Sequence, residues 1–380
     1  MSPFSPEILT FHAATLVIGL IVALRFVGRL PIARLPRHLL MALVLVVAVN
    51  RVFSQLLTGA LDPIELPRPM IIALSWLFAS VLMLAVAQVA LDVVTVLRSL
   101  AARRMVRPAP WMRLTMGATV LCLSGLGVVQ ALRLPPVTTV EVAIRDLPAE
   151  LDGYRVLQLS DLHISKLFPA GWATKVVALA NDQGADLVAI TGDLVDGLPD
   201  RRQDDVAPLQ LLKAPDGVYM VPGNHEYYFD YDAWMAVFPT LGLRPLPNSH
   251  VVIRRGSADL VVAGVTDLAA GGYGEAQPDL SLALAGAPEG APVLLLSHQP
   301  KLARRAARAG VDLQLSGHTH GGMAVGLSRL VARMNGGFVS GLYHLGDMQI
   351  YVSNGTGHTP GFAFRFGVPP EMTMIVLRRA

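Results

Sequence analysis

Two runs decide how the chain folds: Asp186-Leu-Val-Ala-Ile-Thr-Gly-Asp193 and Val311-Asp-Leu-Gln-Leu-Ser-Gly-His-Thr-His320. Each is a short, mostly apolar run that stops at a glycine and then presents polar side chains. Such runs, bounded by turns, read as buried strands. The pattern recurs at residues 154–160 before Asp161-Leu-His163, at 217–222 before Gly223-Asn-His-Glu226, and at 292–297 before His298. Helical patterns at 171–183 and 301–309 lie between these runs, and a further strand is expected at 138–144. Strands alternating with helices predict a layered α/β domain.

Five of the ten histidines (His163, His225, His298, His318, His320) fall at these strand ends. One such histidine would be unremarkable, and an Asp before a loop is usually a turn residue. Their joint occurrence matters because loops at strand carboxyl ends gather in one place. Two divalent ions about 3.5–4 Å apart clamp the attacking and leaving oxygens of a phosphoryl displacement. One carboxylate must then bridge them. Asp193 fits that task, because Gly192 before it permits close backbone approach. Asp161 and His163, two residues apart, reach one ion from an extended turn. Asn224 offers an amide oxygen, and His298, His318 and His320 offer imidazoles. The single cysteine, Cys122, excludes a multi-thiolate site and an internal disulfide. Mixed nitrogen and oxygen donors suit Mn, Fe, Zn or Co better than Mg or Ca.

The first 137 residues read differently. Of the 380 residues, 53% are hydrophobic and 16% charged, against about 25% charged in an ordinary soluble domain. Four apolar stretches of roughly membrane-spanning length lie at about 8–26, 39–57, 70–90 and 111–132, separated by proline-bearing loops. In lipid they must be helices. No basic residue precedes the first stretch, and Arg25 and Arg29 follow it, the reverse of a cleaved signal peptide. These 137 residues hold 12 Arg and no Lys against Glu7, Asp62, Glu65 and Asp92. The arginines crowd the loops after the first and third stretches, which places those loops in the cytoplasm. Four spans then put both termini, and the α/β domain, outside. Arg51 and Asp92 sit near opposite helix ends and should not pair. Along with His12, Asn50, Gln55 and Gln88, they read as packing or interfacial groups. Arginines placed between apolar runs do not suggest nucleic-acid binding.

The blocks Asp161-x-His163, Gly192-Asp193-x-x-Asp196, Gly223-Asn224-His225-Glu226, Ser297-His298 and Gly317-His318-Thr319-His320-Gly321 resemble the calcineurin-like metallophosphoesterases. The resemblance covers about residues 138–380, and the apolar front resembles the family's membrane-anchored branch. It implies a four-layer α-β-β-α sandwich (138–380) preceded by a four-helix transmembrane region (1–137). It also implies a dinuclear centre, with Asp161, His163, Asp193 and His320 on one ion and Asp193, Asn224, His298 and His318 on the other. Asp193 and His225 are then the catalytic residues, with His225 protonating the leaving oxygen. Asp196 and Glu226 are expected to support the ligands. Where the branch often has Gln after Gly321-Gly322, this chain has Met323. His250, His344 and His358 lie outside the motifs and read as structural, and Arg365 is a candidate partner for an acid near the site.

The resemblance implies a phosphoester hydrolase working through two divalent ions and a hydroxide nucleophile. It is expected to be a multi-pass protein of the plasma or inner membrane, in contact with membrane lipids. Mono-, di- and pyrophosphate esters, lipid-linked or soluble, remain open as substrates. No nucleic acid or obligate protein partner is implied. The alternative is a non-catalytic receptor or accessory protein that uses the same fold as a binding module.

Overall fold

The computed structural model describes residues 6–58 and 64–380. Asp62 and Pro63, part of the second interhelical loop, lie outside the described residues. The chain divides into two units, Met1–Gln130 with Thr359–Phe364, and Ala131–His358 with Arg365–Ala380.

The first unit is helical: α1 (Pro6–Ile21), α2 (Arg34–Ala48), α3 (Asn50–Thr58), α4 (Arg68–Ala102) and α5 (Pro110–Ala131). Helical turns continue α1 to Arg29. Leu9–Arg29, Arg68–Ala102 and Pro110–Ala131 are each long and apolar enough to cross a membrane. The expected second span is not one straight helix. It is the pair α2–α3, bent by 59°. The break falls at Val49 (φ −107°, ψ 22°), where the Asn50 side chain donates to the Val47 carbonyl at 2.7 Å. Such a local bond competes with the helical ladder.

Polar groups in this unit are tied to neighbouring helices. Arg25 pairs with Asp92 at 2.8 Å, and Gln88 donates to the same carboxylate at 2.9 Å. Arg51 lies 5.0 Å from the Phe11 ring centroid. Arg51 and Asp92 therefore have different partners, as their positions along the helices required. The Trp76 indole donates to the Leu121 carbonyl (2.9 Å), and the Ser80 and Ser124 hydroxyls bond at 2.8 Å. These bonds join α4 to α5 in the way small polar residues join membrane helices.

The second unit contains twelve strands. In chain order they are β1 (Val137–Ile144), β2 (Arg155–Leu159), β3 (Leu187–Thr191), β4 (Val218–Val221), β5 (Arg244–Pro245) and β6 (Ser249–Arg255). They continue with β7 (Ala258–Gly264), β8 (Val293–Leu296), β9 (Leu313–Ser316), β10 (Gly341–Leu345), β11 (Met348–Val352) and β12 (Met372–Arg379). Its helices are α6 (Ala170–Asn181), α7 (Pro199–Val206), α8 (Asn224–Tyr228), α9 (Tyr231–Val237), α10 (Leu280–Ala283), α11 (Ala303–Arg308) and α12 (Ser328–Met334). One sheet has the order β1-β12-β2-β3-β4-β5 and the other β10-β11-β9-β8-β7-β6.

Period-two alternation builds the layers. On β8, Leu294 and Leu296 face the first sheet's Val156, Leu187, Ala189 and Val221, while Leu295 faces outward to Leu302, Ala303 and Ala306. On the far side of the first sheet, α6 turns in Val176 and Val177. The result is the α-β-β-α sandwich. The sites follow from the topology: β2, β3 and β4 run parallel in one sheet, β8 and β9 parallel in the other. All five carboxyl ends carry the polar blocks.

Leu260 of β7 is fully buried between the sheets. Leu260→Ala should cost roughly 2–5 kcal/mol, read as a lower melting temperature of the detergent-solubilised chain. An unchanged melt would contradict an inter-sheet core.

Candidate metal centre

Three of the five blocks leave their strands through a backbone conformation that L-residues avoid. Asp161 (φ 52°), His163 (46°), Asp193 (53°), His318 (71°) and His320 (47°) all lie in the left-handed region. Such residues cost of order 1–3 kcal/mol each and persist only where the surroundings over-determine them. Here the turns hold one another. The Asp161 amide donates to the Gly192 carbonyl and the His163 amide to the Asp193 carbonyl, both at 3.0 Å. The His225 amide donates to Asp193 Oδ1 at 2.9 Å, and the His318 amide to Asp161 Oδ1 at 3.0 Å. Gly192 has φ 90°, and a Cβ there would stand 2.7 Å from both the Gly223 nitrogen and His298 Nδ1. The β3 and β4 turns could not close around a larger residue.

Glu226 anchors this packing. Its carboxylate accepts from the backbone amides of Gly223 (2.6 Å), Leu194 (2.7 Å) and Asp193 (3.0 Å). Burial, with the nearby Asp193 charge, pushes its carboxyl up to about 7.

The side chains then converge in overlapping groups: Asp161, His163 and His320; His163, Asp193 and His225; Asp193, His298 and His318. In the first, His163 Nε2 and His320 Nε2 are 3.3 Å apart, with Asp161 Oδ1 at 3.5 Å from His320 Nε2. In the last, His298 Nε2 lies 3.3 Å from Asp193 Oδ2, 3.1 Å from Asn224 Oδ1 and 3.2 Å from His318 Nδ1. Asp193 Oδ2 also lies 3.8 Å from His163 Nε2 and 3.9 Å from His225 Nε2. It is thus common to both halves. Asn224, His225, Asp161, His163, Asp193, His298 and His320 are buried, and His318 is half-buried.

The far nitrogens are fixed. His298 Nδ1 is 2.8 Å from the Thr191 carbonyl, so that nitrogen donates. Asp196 Oδ1 faces His225 Nδ1 at 2.5 Å and His163 Nδ1 at 3.3 Å, which sets both rings with Nδ1–H outward. Burial alone would raise the Asp196 carboxyl, but His163 and His225 hold it at about 2. In the neutral tautomer each Nε2 therefore points a lone pair at other acceptors: carboxylate, amide oxygen and imidazole nitrogen. Around His298, acceptors facing acceptors at 3.1–3.3 Å need a shared cation. The donor set and its carboxylate–imidazole support fit two divalent ions.

Without metal, charge distributes unevenly. Burial acts to lower the His298 pKa, but Asp193 beside it raises it well above the usual value. Burial acts to raise Asp193, and His298 and His225 outweigh it, holding the carboxyl well below its usual range. Burial lowers His318 to about 3, helped by His298. Burial likewise lowers His320, with His358 and His163 adding to it. A proton on His298 thus stands where a metal charge would.

Groups that the sequence left aside also touch this centre. His358 stacks on His320 with ring centroids 4.6 Å apart. Arg365 is fully buried and contacts His320 Nδ1 at 3.3 Å. It does not bond an acid as expected: its Nη2 donates to the carbonyls of Asn354 (2.6 Å), Gly357 (2.9 Å) and Gly355 (3.2 Å). The only sequence signal for that loop was the turn-rich Asn354-Gly-Thr-Gly357. His250 lies elsewhere, its Nδ1 2.8 Å from the Ala283 carbonyl. Met323 has φ 62° at the end of the turn containing His320.

Comparison with known proteins bears on this arrangement. The family described as calcineurin-like phosphoesterase matches residues 154–322. A Danio rerio protein named transmembrane protein with metallophosphoesterase domain is 35% identical over 270 residues, which cover 68% of this chain and 61% of that protein. The Bos taurus protein of the same name is 36% identical over 273 residues, covering 68% and 60%. This chain thus spans about three-fifths of those relatives. The Bacillus subtilis metallophosphoesterase YkoQ is 31% identical over 252 residues, covering 62% of this chain and 88% of YkoQ.

Two outcomes follow. At pH 7, Mn²⁺ or Zn²⁺ binding should expel about one proton, mainly from His298. Calorimetry in two buffers of different ionisation enthalpy reads this number. Because the His298 pKa is raised, affinity should fall as pH drops through and below that value. Proton-neutral binding would contradict the arrangement. Asp196→Asn should weaken metal binding about 10–100-fold, measured by competition with a chromogenic chelator.

Proposed function

This chain belongs to the calcineurin-like metallophosphoesterases, and we propose that it is a membrane-anchored phosphoester hydrolase dependent on two divalent ions. The observation that supports this most is the acceptor-only convergence on Asp193. In this reading Asp161, His163, Asp193 and His320 hold one ion, and Asp193, Asn224, His298 and His318 the other. When bound, the ions supply Lewis-acid activation of water and of the phosphoryl group. The remaining work falls to the side chains. Asp193 spaces the two halves. His225, with Nδ1–H bonded to Asp196, presents Nε2 toward the centre and, in the form that also carries a proton on Nε2, donates it to the leaving oxygen. Burial of the ligands strengthens each of these interactions. The anchor favours a substrate at the membrane surface, where a lipid-linked phosphate is concentrated.

We further infer that the bent pair α2–α3 crosses the membrane, making four spans. Two contacts support this. Near the end of α1 that begins the chain, Arg51 covers Phe11. Farther along, a Cβ on Gly19 would stand 2.6 Å from Ala48 Cβ. α2 therefore runs antiparallel beside α1, and Arg51, just past the bend, still reaches α1. The Arg25–Asp92 pair brings the arginine-bearing ends of α1 and α4 together. With those ends cytoplasmic, four crossings put the sandwich on the extracytoplasmic side.

The detergent-solubilised chain should hydrolyse an aryl phosphate when given Mn²⁺ or Zn²⁺. EDTA, Asp193→Ala or Asn224→Ala should reduce turnover at least about 100-fold. Retained activity in both variants would refute the site. A C-terminal alkaline phosphatase fusion should be active and a fluorescent-protein fusion dark; the opposite result would reverse the orientation.

A further inference from the structure

Tyr228 ends α8 one turn beyond Asn224, so the two share a helix face. Its ring centroid is 5.0 Å from that of His225. Asn224 and His225 are each 7% exposed, whereas Tyr228 is 42% exposed. Tyr228 therefore forms rim where the centre itself is buried. Tyr273 continues that rim 6.0 Å away, and the stacked pair Tyr227 and Tyr231, 4.4 Å apart, backs it.

The charges acting on these rings are carboxylates. Apart from the proposed metal ligand Asp193, Asp267 acts on Tyr228 and Tyr227, and Glu275 and Asp232 on Tyr231. Asp267 is only 2% exposed. Its Oδ1 accepts from the Ala269 amide (2.8 Å) and the Gln299 side chain (2.9 Å), while its Oδ2 has no hydrogen-bond partner. Arg and Lys are the usual neighbours of a bound phosphate. This side of the centre is instead lined by tyrosines, with Asp267, Glu275 and Asp232 behind them. Aromatic faces attract ammonium groups, tertiary and quaternary ones included, and carboxylates behind the rings add to that attraction.

We propose that the tyrosine wall binds a cationic group on the substrate's alcohol, so that the substrates are phosphoesters of amino alcohols and Tyr228 sets that specificity. The inference rests on the phosphoesterase reading. Protonation by His225 places the departing oxygen beside that ring, and the substituent two or three bonds farther on then lies over Tyr228. In the reaction a water oxygen bonds to phosphorus and the bond from phosphorus to the alcohol oxygen breaks. That oxygen takes a proton from His225, which is replaced by one from the water. A phospholipid headgroup and a soluble ester carry the same ammonium group.

The test uses the full-length, Mn²⁺-loaded protein in detergent. Phosphocholine and phosphoethanolamine are compared with propyl phosphate, and short-chain phosphatidylcholine with short-chain phosphatidylglycerol. The cationic member of one series should have about tenfold higher kcat/KM. Preference confined to the lipid series assigns a headgroup, and preference confined to the soluble series assigns a free ester. Tyr228→Leu should bring the cationic-to-neutral ratio close to one, whatever the absolute rates, and Tyr228→Phe should keep it. Tyr273→Leu, which leaves α8 intact, should reduce it partly. Equal kcat/KM for cationic and neutral esters in the unsubstituted protein, or an unchanged ratio in Tyr228→Leu, overturns the proposal. If no ester, aryl phosphate included, is turned over, the phosphoesterase reading fails instead. Calorimetric binding then decides the wall alone: phosphocholine should bind about tenfold tighter than propyl phosphate, and equal affinities overturn it.

Discussion

The structure depends on a conflict that only a cation resolves. Around Asp193, lone pairs of carboxylate, amide and imidazole face one another at hydrogen-bond distance, and the protons that could relieve them are committed outward to Asp196 and the Thr191 carbonyl. Such a cluster is unfavourable unless charge is supplied. The protein supplies part of it by protonating His298, which Asp193 stabilises in that form. The rest of the sandwich can be understood as the frame that keeps these acceptors from separating. Left-handed turns at five of the seven converging residues show how much local conformational preference is overridden to do so.

The frame was largely legible in the sequence, for a physical reason. Buried parallel strands are short apolar runs, and a turn that aims a side chain back over a strand end needs glycine or a tolerant residue at once after it. The strands expected at 186–191 and 311–316 are therefore found at Leu187–Thr191 and Leu313–Ser316, within a residue or two of where the runs lie. Local pattern carries no record of long-range partners. That β12 inserts antiparallel between β1 and β2 has no signature in residues 372–379. Arg365 illustrates the same limit. Its charge suggested an acid partner, yet three backbone carbonyls receive it. Backbone acceptors are invisible in a sequence.

The helical unit shows the complementary case. Hydrophobicity locates apolar helices well, because the requirement for length and composition is blunt. It does not register one side chain turning back on its own backbone. The sequence predicts Asn50 to be a packing or interfacial group, but its bond to Val47 falls where one helix ends and another begins. The same sequence feature, a polar residue inside an apolar run, has different consequences in α4. There the Gln88 amide nitrogen and Arg25 both bond Asp92, one turn from Gln88, and the helix continues unbroken. The difference is whether a partner outside the residue's own turn is within reach.

That distinction also orders the polar groups of the catalytic unit. Asp196 Oδ1, Glu226 and the Thr191 carbonyl are satisfied within the frame, and each serves by fixing something else: two imidazole tautomers, three backbone amides, one ring orientation. Asp193, His163 and His298 have their remaining lone pairs directed into the centre. A group whose bonds are complete can hold geometry but has little left for chemistry. A group that is buried, oriented and incomplete is where a ligand gains most. By that criterion the reactive part of this molecule is confined to the space over Asp193. Glu226, despite standing beside it with a carboxyl raised by burial, is structural because its oxygens are already spent on Gly223, Leu194 and Asp193.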